Sequence, residues 1–211
     1  LLDPANANVP GVQSDDGIST IKWKLFVTLP GDGSKDGKYT IAINAVDKLG
    51  NIKTVAYTFF FDTVFPRVIS VTPADGAILT IAPANIVIVL NDGNGSGTDL
   101  LNTAKSIRVD SGTTGGTAIH DGISAVTFTP FSQFTKGIHT IEITPTDLAG
   151  NKPTQAIKYQ FGYFEKASDI LPSVSATTPA DKSATNAFTK VSATLKDNSV
   201  KGIDLSNSTI R

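Results

Sequence analysis

The residues in this sequence best suited to chemistry are the oxygen-bearing side chains of a glycine-rich loop at residues 91–99. Asp92, Asn94 and Asp99 offer carboxylate or amide oxygens within a few residues of one another, with glycines between them. Hard oxygen ligands spaced in this way are typical of calcium-binding loops. The loop departs from the usual calcium pattern because Thr103 stands where a glutamate is expected at the twelfth position.

A second loop, at residues 197–204, corresponds to the first. It keeps an aspartate at each end but places valine and lysine between them. The interpretation that the sequence favours is that these aspartates accept hydrogen bonds from backbone amides and hold a long loop between strands. The alternative is a calcium ion, bound here or at the junctions marked by Asp62 and Asp169. The candidate calcium ligands are Asp92, Asn94, Asp99, Asp197 and Asp204, and no other cofactor is expected.

The two histidines do not form a catalytic pattern. His120 precedes a turn, and His139 begins a strand at the place that Tyr39 occupies in a similar stretch. Tyr39 is similar to a tyrosine corner, a residue that ties the start of a strand to nearby backbone, so His139 is most simply a corner residue as well. No order of Ser, His and Asp recurs along the chain, as a hydrolase would require. We therefore predict that the protein is not an enzyme.

The element that carries these residues is a strand followed by a tight turn, and it occurs twice, at residues 37–51 and 137–151. Both copies contain Thr-Ile-x-Ile, in which apolar and polar residues alternate with the two-residue period of a half-buried strand. Both end in Asp-x-x-Gly-Asn, where the aspartate can accept backbone hydrogen bonds and the glycine supplies a positive φ. The sequence therefore predicts a strand and a reversing turn at both places.

The whole chain repeats with a period of about 105 residues. The repeated motifs are Asp-Gly-Ile-Ser at 16–19 and 121–124, Leu-x-Asp at 90–92 and 195–197, and Thr-Pro-Ala-Asp at 72–75 and 178–181. Within one period, about seven or eight short β-rich runs lie between turn signals, which fits an immunoglobulin-like sandwich. We predict an all-β protein made of tandem immunoglobulin-like β-sandwich domains with antiparallel Greek-key sheets.

The local pattern predicts a loop at residues 1–17. It predicts strands at residues 18–29, 39–46, 53–61, 85–90, 105–109, 117–119, 123–129, 138–146 and 154–164. Nowhere do apolar residues recur at helical spacing over three turns without an interrupting glycine or proline, so no long amphipathic helix is expected.

The repeat divides the chain into three parts. Residues 1–65 correspond to the second half of a domain, residues 66–165 to a complete domain, and residues 172–211 to a first half. A half-sandwich leaves an apolar face and strand edges open to water. We expect either that the natural polypeptide continues on both sides, as the frequency of domain arrays favours, or that neighbouring copies supply the missing halves head to tail.

Composition narrows the class of partner. The formal net charge is −1, and no cluster of basic residues is interleaved with aromatic ones, so nucleic acid and anionic lipid are not expected as main partners. The chain has no cysteine, which excludes disulfides and cysteine-based metal sites. No apolar run reaches the roughly 18 residues that a membrane-spanning helix needs.

Aromatic residues indicate two possible contact surfaces. Trp23 could stack on a sugar, but it aligns with Phe128 one period later, which favours an equivalent core position. An exposed Trp23 would favour carbohydrate binding, and a buried one would count against it. Three consecutive phenylalanines at residues 59–61 must point partly outward, which favours packing at a junction between domains over a lateral contact between chains. The predicted interface residues are Phe59, Phe60, Phe61, Phe65, Pro66 and Pro172.

Several motifs together resemble the bacterial immunoglobulin-like (Big-type) repeats that occur in arrays in large surface proteins, adhesins and surface-layer proteins. They are Gly-x-Tyr-Thr-Ile from Gly37, the Asp-x-x-Gly-Asn turn, Phe-Asp-Thr-x-x-Pro ending at Pro66, and Thr-Pro-Ala-Asp-Gly ending at Gly76. The likeness covers essentially all of the chain, although the second copy departs from it at His139 and Pro145. The resemblance is specific for fold and weak for function.

The resemblance implies a non-catalytic structural or adhesive module of an extracellular bacterial surface protein, in which immunoglobulin-like domains form a rod. Its expected partners are neighbouring domains or copies of itself, together with a cell-surface or glycan ligand. One alternative is a self-assembling filament or surface-layer subunit whose half-domains are completed by neighbouring copies. A second is an accessory carbohydrate-binding domain of a secreted hydrolase.

Overall fold

The computed structural model describes residues 1–165, 171–187, 189–197 and 203–210. Within these residues β-strand is the main regular element (44%), beside one seven-residue α-helix and a short 3-10 turn at Asp110–Gly112. The prediction of an all-β protein is thereby confirmed. No helix in the described part of the chain is long and apolar enough to cross a membrane.

Residues 1–65, here the N-terminal segment, form two antiparallel strand pairs. The strands are β1 (Gly11–Asp15), β2 (Ile21–Leu25), β3 (Gly37–Val46) and β4 (Ile52–Phe61), and β1 pairs with β2 while β3 pairs with β4. The strands predicted at 39–46 and 53–61 are confirmed. The loop predicted at 1–17 is wrong, because β1 lies within it, and the strand predicted at 18–29 is shorter. Apart from its initial glycine, β1 carries Val12 beside three polar residues, too few apolar side chains to produce a visible alternation.

Residues 66–165, here the central segment, form two four-stranded sheets. The elements are β5 (Arg67–Thr72), β6 (Ala77–Leu79), β7 (Ile86–Asn91), α1 (Leu100–Ser106), β8 (Arg108–Val109), β9 (Gly116–His120), β10 (Ala125–Pro130), β11 (Gly137–Ile143) and β12 (Ile157–Tyr163). One sheet has the order β5-β7-β10-β9, and the other has the order β6-β12-β11-β8. All pairings are antiparallel except that of β6 with β12.

The two sheets of the central segment enclose one hydrophobic core. Ile86 and Ile88 of β7 and Val126 of β10 come from the first sheet, and Ile141 of β11 and Phe161 of β12 come from the second. All five side chains are fully buried. Because successive side chains of a strand point to opposite faces, each strand contributes alternate residues to this core. The central segment is therefore a two-layer β-sandwich.

Helix α1 was not predicted, and the strand predicted at 105–109 is wrong over most of its length. The helix begins after Asp99, whose side chain accepts a hydrogen bond from the amide of Asn102 and so caps the first turn. Leu100, Thr103 and Ala104 are its buried residues, which lie on one face at helical spacing. Seven residues are too few for that spacing to stand out in a sequence otherwise dominated by strand patterns.

The described part of residues 171–210, here the C-terminal segment, contains β13 (Ser173–Thr178) and β14 (Ser192–Lys196). The two strands form a separate antiparallel pair. Their register shifts between Val174 and Ala176, as the register of β5 against β7 shifts between Val68 and Ser70. The two strand pairs thus share the same irregularity at corresponding positions.

Candidate metal centre

Three aspartates meet where the N-terminal and central segments join. Asp62 directly follows β4, Asp92 directly follows β7, and Asp147 opens the Asp-x-x-Gly-Asn turn at residues 147–151. One carboxylate oxygen from each lies within 4.8 Å of the others. Asp147 is almost completely buried, and Asp62 and Asp92 are partly buried. We call these three residues the acidic cluster.

Hydrogen bonds fix the orientation of each carboxylate in the acidic cluster. The Oδ2 atom of Asp62 accepts from the backbone amide of Ser96 at 2.7 Å and from the Ser96 hydroxyl. The Oδ2 atom of Asp92 accepts from the amide of Gly97 at 2.7 Å. Asp147 accepts from the backbone amide and the side-chain nitrogen of Asn151, both at 2.8 Å. These contacts hold the three carboxylates together although all of them carry the same charge.

One oxygen of the acidic cluster has no partner. The Oδ1 atom of Asp92 is inaccessible to solvent and accepts no hydrogen bond from the protein. Burial raises the pKa of Asp92 to about 6; the hydrogen bond from Gly97 opposes this shift, and the charges of Asp62, Asp147 and Asp36 add to it. An unpaired carboxylate oxygen beside two other carboxylates is unfavourable unless a proton or a cation neutralises it.

The donor set fits a hard divalent cation. Carboxylate oxygens are the preferred ligands of Ca²⁺, which binds them at about 2.3–2.6 Å, so two ligands of one ion can lie up to about 5 Å apart. Gly95 leaves room beside the carboxylates, because a Cβ atom there would lie 2.6 Å from Asp92 Oδ2 and 2.8 Å from Asp62 Oδ2. Nitrogen and sulfur ligands are absent from the cluster, which disfavours zinc and copper. The residues present are therefore suited to calcium.

One member of the acidic cluster, Asp62, lies on a linker, residues 62–66, that is bound on both sides. Toward the N-terminal segment, the backbone amide and hydroxyl of Thr63 donate to the two carboxylate oxygens of Asp36, both at 2.9 Å. Toward the central segment, the backbone oxygen of Asp62 accepts from the Asn151 side chain at 3.1 Å. Pro66 at the end of the linker is fully buried and restricts φ. The junction is thus fastened by side chains from both segments.

The structure places the predicted calcium ligands in different surroundings. Asp92 belongs to the acidic cluster, whereas Asp99 caps helix α1 and Asn94 is exposed in the loop. Asp204 accepts hydrogen bonds from Ser206 and Asn207 in a local turn, and Asp197 lies beyond the end of β14. Of the ligands predicted in the first loop, only Asp92 therefore belongs to the acidic cluster. Asp169, the other predicted junction residue, lies outside the described residues.

The sequence did not identify Asp147 as a metal ligand. Its turn was interpreted as a chain reversal, which it is: the Asp147 amide bonds to the carbonyl oxygen of Asn151, and Gly150 has a φ of 95°. Asp47, its counterpart one repeat earlier, makes the same turn but is exposed. The sequence held one signal, the position of Asp62 at the predicted junction. If the turn at residues 147–151 faces the linker, Asp147 lies close to Asp62.

The predicted interface residues differ in burial and in what they contact. Phe59 and Phe61 pack against the ring of Tyr39, with ring centroids 5.5 Å and 6.1 Å apart. Phe60 points outward and is half exposed. Phe65 is partly buried beside the fully buried Pro66, whereas Pro172 is exposed. Packing at the linker therefore involves Phe65 and Pro66.

The two corner residues make equivalent contacts. The Tyr39 hydroxyl donates to the carbonyl oxygen of Lys35 at 2.9 Å, and His139 Nε2 lies 2.8 Å from the carbonyl oxygen of Thr135. Each contact thus joins a buried ring to the backbone four residues earlier, which confirms the predicted corner role. His120 lies exposed on β9.

The second ring nitrogen of His139, Nδ1, lies 2.8 Å from Asp110 Oδ2. Burial raises the pKa of the Asp110 carboxyl, but hydrogen bonds from Thr114, His139 and the Thr140 amide outweigh it and hold that pKa below its usual value. The two ring nitrogens of His139 thus contact Asp110 on one side and the Thr135 carbonyl oxygen on the other. These groups are engaged in holding the start of β11.

Comparison with known proteins does not assign this chain to a family. No protein-family model matches this chain, and no curated protein matches it significantly. The crystal structure of CopC from Methylosinus trichosporium OB3b is similar over 46% of this chain and 92% of that one, with 14% identity and a TM-score of 0.34. The LD transpeptidase LdtMt1 in complex with imipenem matches 46% of this chain and 39% of that one, with 21% identity and a TM-score of 0.32. At such low TM-scores, neither likeness carries a conclusion about function.

Proposed function

We propose that this chain is a non-catalytic structural module of an extracellular bacterial surface protein, in which immunoglobulin-like domains follow one another as a rod. In this proposal a calcium ion binds the acidic cluster and fixes the junction between consecutive domains. The observation that carries the proposal is the position of Asp62. It lies on the linker, and its carboxylate lies close to those of Asp92 and Asp147 in the next segment. The sequence repeat supports the array, because the Asp-x-x-Gly-Asn turn and the Thr-Pro-Ala-Asp motif each occur twice along the chain.

The residues of the junction would act by restricting motion. A bound calcium ion supplies positive charge that offsets the repulsion among the three carboxylates. Asp62 holds the linker, Asp92 holds the loop after β7, and Asp147 holds the turn at residues 147–151. Ser96 connects two of these parts, since its hydroxyl donates to Asp62 and accepts from the amide of Ala149 at 3.0 Å. A pivot about the linker would have to break these contacts together, so the junction transmits orientation along the rod.

The direct test of this role is small-angle X-ray scattering of the whole chain in calcium and in a chelator. With calcium, we expect a narrower distribution of interatomic distances than without it. Asp62→Asn should behave in calcium as the unaltered chain does in chelator, whereas Asp47→Asn, in the equivalent but exposed turn, should not. A scattering profile that is independent of calcium would contradict the proposal.

The array itself is tested by the intact mass of the polypeptide in denatured source material. A mass far above 22.1 kDa would support a long tandem array. A mass near that value would instead favour the filament or surface-layer subunit.

The exposure of Trp23 bears on the second alternative, an accessory carbohydrate-binding domain. Trp23 is 46% exposed, which is the state that favours sugar stacking. Its counterpart Phe128 is buried in the central segment, so the exposure is also what an uncovered core position would show. Because Trp23 is the only tryptophan of the chain, its fluorescence reports binding directly. A saturable change on titration with oligosaccharides would favour the carbohydrate-binding role, and no change would favour the structural one.

A further inference from the structure

Asn94, in the loop after β7, combines three features that favour a chemical change of its side chain. It is followed by Gly95, and no other asparagine of this sequence precedes a glycine. Its side chain is exposed, and no hydrogen bond among the described residues involves that side chain. Because glycine has no Cβ atom, the backbone nitrogen of Gly95 is the least obstructed that an asparagine side chain can meet.

A second asparagine shows what distinguishes Asn94. Asn207 is also followed by a small residue, Ser208. Its side-chain nitrogen, however, donates a hydrogen bond to Asp204 Oδ2 at 2.6 Å. An amide group held by a carboxylate must lose that bond before it can turn toward the next backbone nitrogen. The side chain of Asn94 has no such bond to lose.

We infer that Asn94 is a site of spontaneous deamidation that changes the charge of the junction. The backbone nitrogen of Gly95 bonds to Cγ of Asn94 and gives up its proton. The bond from Cγ to the side-chain nitrogen breaks, and that nitrogen leaves as ammonia with the proton. One water then opens the resulting succinimide ring, at Cγ to give aspartate or at the backbone carbonyl carbon to give isoaspartate. Both products carry a carboxylate where the amide was.

One hydrogen bond opposes this reaction. The amide of Gly95 donates to the carbonyl oxygen of Asp92 at 3.0 Å, so this turn has to open before the nitrogen can attack. The turn belongs to no strand or helix, and both Gly93 and Asn94 within it are exposed. Exposed turns of this kind open at a small cost in free energy. The hydrogen bond therefore slows the reaction without preventing it.

The new carboxylate would lie in a cavity that is already acidic. Asn94 lines a cavity of about 390 Å³ between the N-terminal and central segments. Its charged lining residues are Asp32, Asp36, Arg67 and Asp92. A further negative charge there increases the repulsion among the carboxylates when no cation is present. Deamidation of one exposed residue thus acts on the contact between two segments.

The isoaspartate product also changes the backbone. It inserts one carbon atom into the main chain directly before Gly95, next to Ser96. Ser96 holds Asp62 through its backbone amide and its hydroxyl. Lengthening the chain at this point shifts both donors away from the linker, so the isoaspartate form should hold the linker less firmly than the aspartate form.

The reaction does not depend on calcium, although its effect on metal binding rests on the proposed function. Deamidation of Asn94 in a chain that does not bind calcium would reject the metal part of the proposed function and leave this inference intact. Calcium binding by a chain whose Asn94 stays unchanged would do the opposite.

The first test is incubation of the whole chain in a chelator at mildly alkaline pH, followed by protease digestion and mass spectrometry. We expect Asn94 to convert at least about tenfold faster than Asn207, because only Asn207 must first break a bond to a carboxylate. Asn94→Gln should abolish this fast conversion, since the longer side chain would have to close a larger ring. Equal rates at Asn94 and Asn207 would overturn the inference.

The products of the same incubation test the route. Closure of the succinimide ring gives isoaspartate together with aspartate, whereas direct hydrolysis of the amide gives aspartate alone. Fragmentation by electron transfer distinguishes the two products in the Asn94 peptide. Aspartate without isoaspartate would overturn the ring closure by Gly95 and with it the inference.

The second test isolates the effect of charge on the junction. Asn94→Asp carries the charge of the aspartate product without a longer backbone. In chelator at low ionic strength we expect it to melt at a lower temperature than the unaltered chain, and we expect added salt to reduce the difference. Asn186→Asp is the matched control, since Asn186 is exposed and does not line the cavity. Equal melting of the two variants would overturn the effect on the junction.

Discussion

The side-chain nitrogen of Asn151 donates a hydrogen bond to the backbone oxygen of Asp62, 89 residues earlier in the chain, over 3.1 Å. The same nitrogen also donates to Asp147 Oδ2 at 2.8 Å. One side chain therefore joins the linker to the turn that carries the third aspartate of the acidic cluster. Asn51, its counterpart in the N-terminal segment, bonds to Asp47 within its own exposed turn.

This pair of asparagines provides a matched test of the junction. Asn151→Ala removes two hydrogen bonds at a partly buried site, so we expect the free energy of unfolding to fall by about 1–3 kcal/mol. Asn51→Ala removes the exposed equivalent, and its cost should stay below about 1 kcal/mol. Chemical denaturation of both variants measures the difference. Equal losses would mean that the contact with Asp62 adds nothing to stability.

Gly95 tests whether the space beside the carboxylates matters. An alanine Cβ would lie 2.6–2.9 Å from oxygens of Asp92 and Asp62, so those side chains would have to move. We expect Gly95→Ala to weaken calcium binding by about tenfold or more, as measured by calorimetry. Gly31→Ala is the control, since its Cβ would meet no atom within 4 Å. Unchanged affinity in Gly95→Ala would place the ion elsewhere.

Asp110 gives the fold a defined dependence on pH. Its pKa lies below the usual value in the folded chain, so the ionised carboxylate stabilises the fold. This contribution is complete above about pH 4, which is the pKa expected for the aspartate in the unfolded chain. That contribution is lost as the pH falls through the folded pKa. Thr114→Val removes a hydrogen bond of 2.6 Å to Asp110 Oδ2 and should cost about 1–2 kcal/mol at pH 7.

The cost of Thr114→Val should shrink as the pH falls from 5 toward 2, because a protonated Asp110 gains less from this bond. Thermal unfolding of both proteins across this range measures the change, and Thr117→Val, at an exposed position of β9, corrects for the substitution itself. A cost that is the same at every pH would show that the Thr114 bond does not depend on the charge of Asp110.

The sequence predicted the strands that have alternating apolar residues and missed the elements that lack them. Strands β3, β4, β11 and β12 follow the period of two, β7 is a continuous apolar run, and all five lie close to their predicted positions. Strand β1 has one large apolar residue, Val12, and helix α1 is too short to show its own period. An alternating pattern of apolar residues reflects burial of one face of a strand. A short element, or one that buries few side chains, therefore shows no clear pattern.

The candidate metal centre was predictable only in part, because its members come from three elements far apart in the chain. Asp92 was named from its loop and Asp62 from its junction, but nothing in a single sequence states that Asp147 faces them. Asp47 has the same local motif and remains exposed. The tertiary structure places the turn at residues 147–151, and not the one at residues 47–51, beside Asp62 and Asp92. The local sequence of the turn does not contain this information.

Calcium binding to the whole chain by isothermal titration calorimetry tests the central claim most directly. We expect binding at the acidic cluster that Asp92→Asn weakens by at least about tenfold, while Asp47→Asn leaves it unchanged. In chelator, Asp92→Asn should be at least as stable as the unaltered chain, because it removes a buried unpaired charge. Absence of calcium binding, or equal binding by Asp92→Asn, would contradict the assignment of a metal centre to this junction.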